Sequence, residues 1–232
     1  MTAMDLSSFL RLGTPPALKL CLPRFAGTAR EGAGFSYPGF LHADRDVRSA
    51  QEVERLACTA GADTQLISPD EAISALNQHK RFQPLVIFGS RSNDAFPTVV
   101  SKSRLSELVT FSFSDEWTIT TRGGVSYSLK DPSRLDRVAY TAATDYGVVA
   151  GLVDEGYPTV FIVAGLGGRA TEGCGRFLRE SWTELARRSE GKSFAALLRF
   201  DPPVDPNDSE MVEFIHLKGA KAAVSRRRRG PL

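Results

Sequence analysis

The chain has 232 residues, 42% of them hydrophobic and 24% charged, with a formal net charge of +2 at neutral pH. These values fit one large or two small globular domains with a proper core, and the near-neutral balance gives the whole chain no nucleic-acid footprint. No apolar run approaches the roughly 20 residues that span a bilayer, and the opening MTAMDLSSFLRLG has no basic start before an apolar block. We therefore expect a cytoplasmic protein with no membrane partner. Cys21, Cys58 and Cys174 lie far apart in apolar patterns and read as small buried residues of a reducing compartment. His42, His79 and His216 are equally scattered, so no metal is expected.

Ala17 to Leu22 is the first predicted strand, following the Pro15-Pro16 break. From Pro23 to about Asp44 the chain reads RFAGTAREGAGFSYPGFLHAD, a loop of a length usually tied to function. Tyr37 within it is expected to anchor the loop or to stack on a base. Asp46 to Ala60 predicts a helix, because Ala50, Val53, Ala57 and Ala60 keep the 3.6-residue period and Gly61 ends it. Thr64 to Ile67 reads as a strand. Ser68 then caps a helix that has Pro69, Asp70 and Glu71 in its first turn and reaches about His79. Pro84 to Phe88 is continuously apolar, as a strand covered on both faces must be. Strand, helix, strand, helix, strand argues for parallel strands with right-handed crossovers.

The middle of the chain is richer in β signals. Leu108–Phe113, Trp117–Thr121 and Ser126–Leu129 read as strands, the last two joined by a turn at Arg122-Gly-Gly-Val125. We expect them to form an antiparallel excursion or an extension of the sheet. Tyr146–Val153 and Pro158–Val163 predict a strand pair joined through Asp154–Tyr157, and after a long helix Phe194–Phe200 and Met211–Leu217 predict two late strands. The fold class that follows is a layered Rossmann-like or flavodoxin-like α/β sandwich, mainly parallel with an antiparallel β extension. Without repeat or linker, residues 1–224 read as a single α/β domain and 225–232 as a basic disordered tail. Nucleic acid contact is expected only through Arg226–Arg229 of that tail.

Two loops are candidates for chemistry. In TVFIVAGLGGRATEGCGRFLRESW, Gly165, Gly167 and Gly168 follow a buried strand and open a helix with Cys174, Phe177, Leu178, Trp182, Leu185 and Ala186 on one face. Free amides and the helix dipole attract an anion at such a start. Thr171 adds a hydroxyl donor or caps the helix. Glu172 satisfies the dipole itself, binds a ribose hydroxyl or acts on water. The spacing is neither the dinucleotide fingerprint nor a Walker A loop. In VIFGSRSND, Gly89, Ser90 and Asn93 supply a glycine and short polar groups at a strand end, with Asn93 equally suited to an Asx-turn. If the first three strands lie in the order 2-1-3, the loops after strands 1 and 3 flank one crevice. Catalytic residues are unassigned: Asp145 is a single carboxylate at a sheet end, and there is no nucleophile elbow.

Two resemblances add to this. LVIFGSRSN followed by DYGVVAGL and VFIVAGLGGRATEGCGRFL, over about residues 84–200, resembles a bacterial domain of Rossmann-like organisation. There a G-x-x-x-N loop precedes a D-Y-G strand and an A-G-L/I…G-T loop. It implies a fold and no established activity, and Ala170 stands where that domain has a glycine before Thr171. FGSRS followed by GLGGRATEG is similar in outline to the lysine-decarboxylase-like nucleotide-binding proteins, which include cytokinin-activating phosphoribohydrolases. That likeness implies two loops holding a nucleotide. The P-G-G core and the basic motif of those enzymes are missing, so their activity is not implied.

The expectation is a small-ligand-binding domain for a nucleotide or nucleotide-derived anion, with no cofactor and no oligomeric state assigned. The alternatives are an N-glycosidic hydrolase acting on a nucleotide, with Glu172 or Asp145 handling a proton, and a non-enzymatic interaction module whose glycine loops only pack.

Overall fold

The computed structural model describes residues 4–26, 40–41, 43–77, 83–135, 137–154, 159–202 and 209–217. Most of the Pro23–Asp44 loop with Tyr37 and His42, together with His79, residues 155–157 and the Arg226–Arg229 tail, lies outside them. In chain order the first half comprises α1 (Leu6–Leu10), β1 (Ala17–Cys21), β2 (Phe25–Ala26), β3 (Phe40–Leu41), α2 (Asp44–Thr59), β4 (Asp63–Ile67), α3 (Pro69–Asn77), β5 (Leu85–Phe88) and α4 (Phe96–Lys102). The second half comprises β6 (Val109–Phe113), β7 (Glu116–Thr121), β8 (Ser126–Lys130), α5 (Arg137–Ala142), β9 (Asp145–Leu152), β10 (Val160–Gly165), α6 (Gly168–Ser189), β11 (Phe194–Phe200) and β12 (Ser209–His216).

Seven strands form one sheet in the order β12-β11-β9-β10-β5-β1-β4. From β4 to β10 the neighbours are parallel, while β9 and β12 run against them. This is a layered Rossmann-like α/β fold. Strand β1 lies between β4 and β5, so the first three strands take the order 2-1-3. The connection of β1 leads through α2 to β4 on one side and that of β5 leads on toward β9 and β10 on the other, which opens a crevice between them at the carboxyl ends.

Alternation along each strand makes two cores. Leu18 and Leu20, Val86 and Phe88, and Phe161 and Val163 face α1, α2 and α6. Cys21, Leu85, Ile87, Val160 and Ile162 face α3, α4 and the middle segment. Burial on both faces explains why these strands read as unbroken apolar runs. Helices α2 and α6 approach so closely that a Cβ at Gly175 would stand 2.6 Å from the Ser49 carbonyl oxygen. The Ser49 hydroxyl donates to the Thr171 carbonyl at 2.8 Å, and Arg179 pairs with Glu52 at 2.6 Å.

Of the two forms expected for the middle strands, the structure takes the excursion: β6, β7 and β8 form their own three-stranded antiparallel sheet. Only one of its faces is apolar, with Val109, Ile119 and Leu129 in the second core and Thr110, Ser112, Ser126 and Ser128 outside. A strand with one apolar face fits a covering layer, not a sheet interior. One expectation is corrected: Cys58 is exposed, on the outer side of α2, whereas Cys21 and Cys174 are buried. No helix among the described residues is long and apolar enough to cross a membrane.

Candidate functional site

A cavity of about 510 Å³ opens at the carboxyl ends of β5 and β10. Gly89, Ser90, Arg91 and Ser92 line it from the turn after β5, and Gly165, Leu166, Gly167, Gly168 and Thr171 from the junction with α6. The start of α2 contributes Ala43 and Asp46, and the middle segment contributes Trp117 and Pro132. The two loops are tied together, since the Ser90 hydroxyl donates to the Gly165 carbonyl at 3.1 Å and the Gly89 amide to the Val163 carbonyl at 3.0 Å.

The α6 junction is largely satisfied from within. Asp145, fully buried at the start of β9, accepts from the Gly167 amide at 3.0 Å, the Ala170 amide at 3.1 Å and its neighbour Tyr146 at 2.8 Å. The helix start therefore already holds a carboxylate. Tyr140 donates to the same carboxylate at 3.4 Å while its oxygen accepts from the Arg169 amide at 3.3 Å. The Thr171 hydroxyl accepts from the Gly165 amide at 3.0 Å and donates to the Gly167 carbonyl at 3.3 Å. A Cβ on Gly165 would collide with the Gly167 carbonyl and the Thr171 amide, and one on Gly167 with Tyr140 and Asp145. Gly168 differs: it is exposed, lines the cavity, and its amide has no partner among the described residues.

Burial pushes the Asp145 carboxyl above its ordinary value of 3.8, and the Gly167 and Ala170 amides and the Arg169 charge offset part of that rise. The Tyr140 hydroxyl is pushed up to about 12, by burial first and the Asp145 charge second, and so remains a donor. Arg169 is itself buried, donates to the Thr141 carbonyl at 3.2 Å and to Ala143, and lies 5.0 Å from the Tyr140 ring centroid. Burial also pushes the Cys21 thiol to about 12 and the Cys174 thiol well above the usual range, which leaves both protonated and unreactive.

The β5 turn is built differently. Gly89 has φ +76°, a left-handed conformation that favours glycine. Asn93, fully buried, does not line the cavity but supports the turn from below. Its side-chain amide donates to the Phe88 carbonyl at 2.9 Å and the Cys21 carbonyl at 3.2 Å, and its oxygen accepts from the Ala95 amide at 3.0 Å. That is the Asx-type role at the turn. Arg91 above it is exposed, its guanidinium 5.1 Å from the Trp117 ring centroid.

Glu172 is buried but faces α2, where it pairs with Arg45 at 2.8 Å and Arg48 at 3.8 Å. Neither Glu172 nor Asp145 lines the cavity. Among the sequence candidates, Gly89, Ser90, Gly165, Gly167, Gly168 and Thr171 meet there, while Asn93 and Glu172 sit behind its walls. Arg91, Asp46 and Trp117 are among the lining residues that sequence reasoning missed. Arg91 stood inside the GSRS motif, Asp46 only began a predicted helix, and nothing linear joins Trp117 to either loop.

Comparisons with protein-family models, with curated proteins and with solved structures find no match for this chain. The site rests on its own geometry.

Proposed function

We propose that the chain is a small-ligand-binding domain whose cavity takes a nucleotide or a nucleotide-derived anion. The observation that carries this reading is the meeting of two glycine-bearing strand ends on one cavity of about 510 Å³. It lies beside the point where the connections of β1 and β5 diverge, the usual ligand position in open α/β sheets. Pockets for small ligands run from about 300 to 1,000 Å³. Arg91 brings a positive charge to the wall, and an aromatic ring backed by arginine, as Trp117 is, offers a base a face to stack on. The Gly168 amide adds a donor. Because Asp145 already fills most of the α6 terminus, the ligand's anionic group leans on Arg91 more than on that helix.

Binding without turnover is the form favoured, since Asp145 and Glu172 are both engaged away from the cavity. A cytoplasmic location accords with the buried free thiols of Cys21 and Cys174. The test is a thermal-shift panel of AMP, ADP, ADP-ribose, NAD, cyclic nucleotides and inorganic phosphate. A ligand at a hundredfold excess over its Kd stabilises the native state by about 2.7 kcal/mol. For a chain of this size that raises the melting temperature by several degrees. Flat curves across the panel would sink the reading.

A further inference from the structure

Among the described residues lining the cavity, Asp46 is the only carboxylate, and it is 4% exposed. It stands in the first turn of α2, with its amide donating to the Ala43 carbonyl at 3.0 Å. Its Oδ1 lies 3.8 Å from the point a Cβ on Gly89 would occupy, and the Ser92 Oγ lies 2.9 Å from the same point. A carboxylate and a hydroxyl thus face the space that the missing Gly89 side chain leaves open. A carboxyl group there favours a hydrogen-bond donor over a further acceptor.

We propose that Asp46 reads sugar hydroxyls, so that the ligand is a phosphate monoester of a hydroxyl-bearing sugar, a ribonucleoside monophosphate and not bare phosphate. This inference rests on the nucleotide reading above. Trp117 belongs to the layer covering one face of the main sheet and α2 to the layer covering the other. A nucleotide stacked on Trp117 at one end of the cavity therefore presents its sugar, not its base, to Asp46 at the other. Asp46 also interacts with another group of the chain. A carboxylate has about four acceptor sites.

The experiment is calorimetric titration of the full chain with AMP, its 2′,3′-dideoxy analogue and inorganic phosphate, on the wild type and on Asp46→Asn. On the wild type the dideoxy analogue should bind at least about tenfold more weakly than AMP, as expected for losing a hydrogen bond to a charged group, and phosphate more weakly still. Asp46→Asn should lower AMP to the level of the analogue and leave the analogue unchanged. Equal affinity of AMP and the analogue for the wild type overturns the inference while the nucleotide reading stands. Phosphate binding as tightly as AMP overturns it and leaves only an anion site. Silence from all three compounds overturns both. If Asp46→Asn does not fold, the wild-type comparison of AMP with its analogue decides alone.

Discussion

Two strand-to-helix junctions lie side by side at the carboxyl edge of the sheet, and they meet the same local problem in opposite ways. Both follow a buried parallel strand and both begin with glycine. After β10 the chain's own Asp145 occupies the helix start, so most of the amides that attract an anion are already taken. After β5 the support comes from below, through Asn93, and Arg91 is left exposed on the cavity side. A glycine-rich junction is therefore not by itself an anion site. What decides is whether a side chain of the fold already takes up the free amides, as Asp145 does after β10.

The sharpest break is within the β10 junction. Gly165→Ala would drive a Cβ into backbone atoms that cannot swing away, so we expect no folded protein, or a loss of more than about 4 kcal/mol. Gly168→Ala, three residues on, meets only the Arg45 side chain at 3.2 Å and should be neutral or slightly stabilising. Chemical denaturation of the two variants checks the contrast.

Next in size is removal of the internal anion. Asp145→Ala leaves the buried Gly167 and Ala170 amides without partners, and we expect a loss of about 3 kcal/mol in urea unfolding. Asn93→Ala, the corresponding change under the β5 turn, should cost about 2 kcal/mol by the same measurement.

A smaller effect is a pH slope. Because folding raises the Asp145 pKa, its stabilising contribution is complete below the ordinary value of 3.8 and is lost as pH rises through the higher folded value. Melting curves across that window should show wild type losing stability relative to Asp145→Asn, which lacks the titration. A gap that widens with pH would reverse the sign. The smallest effect on stability belongs to Arg91→Ala: the side chain is exposed, so the melting temperature should not move, while AMP affinity falls at least about tenfold.

Much of the fold was legible because the strands of a doubly covered sheet must be apolar throughout, and Leu85–Phe88, Val160–Gly165 and residues 194–198 are. Alternating elements gave the parallel crossovers, while the 2-1-3 order entered only as a condition that the structure meets. The sequence left the β6–β8 layer open between an excursion and a sheet extension, because strand signals report one apolar face without naming the surface it covers. The site was half legible. Glycines at strand ends marked the loops, yet the pairing of Asp145 with amides 22 and 25 residues away, and the arrival of Trp117 from another sheet, depend on tertiary contacts with no local trace.

The most direct measurement compares the AMP-induced shift in melting temperature of the wild type with that of Gly168→Asp. That variant sets a carboxylate on the cavity wall, where Arg45 is the nearest side chain and has room to move. The account predicts a rise of several degrees for the wild type and none for the variant. An equal rise in both, or no rise in the wild type, would contradict a ligand site at these two strand ends.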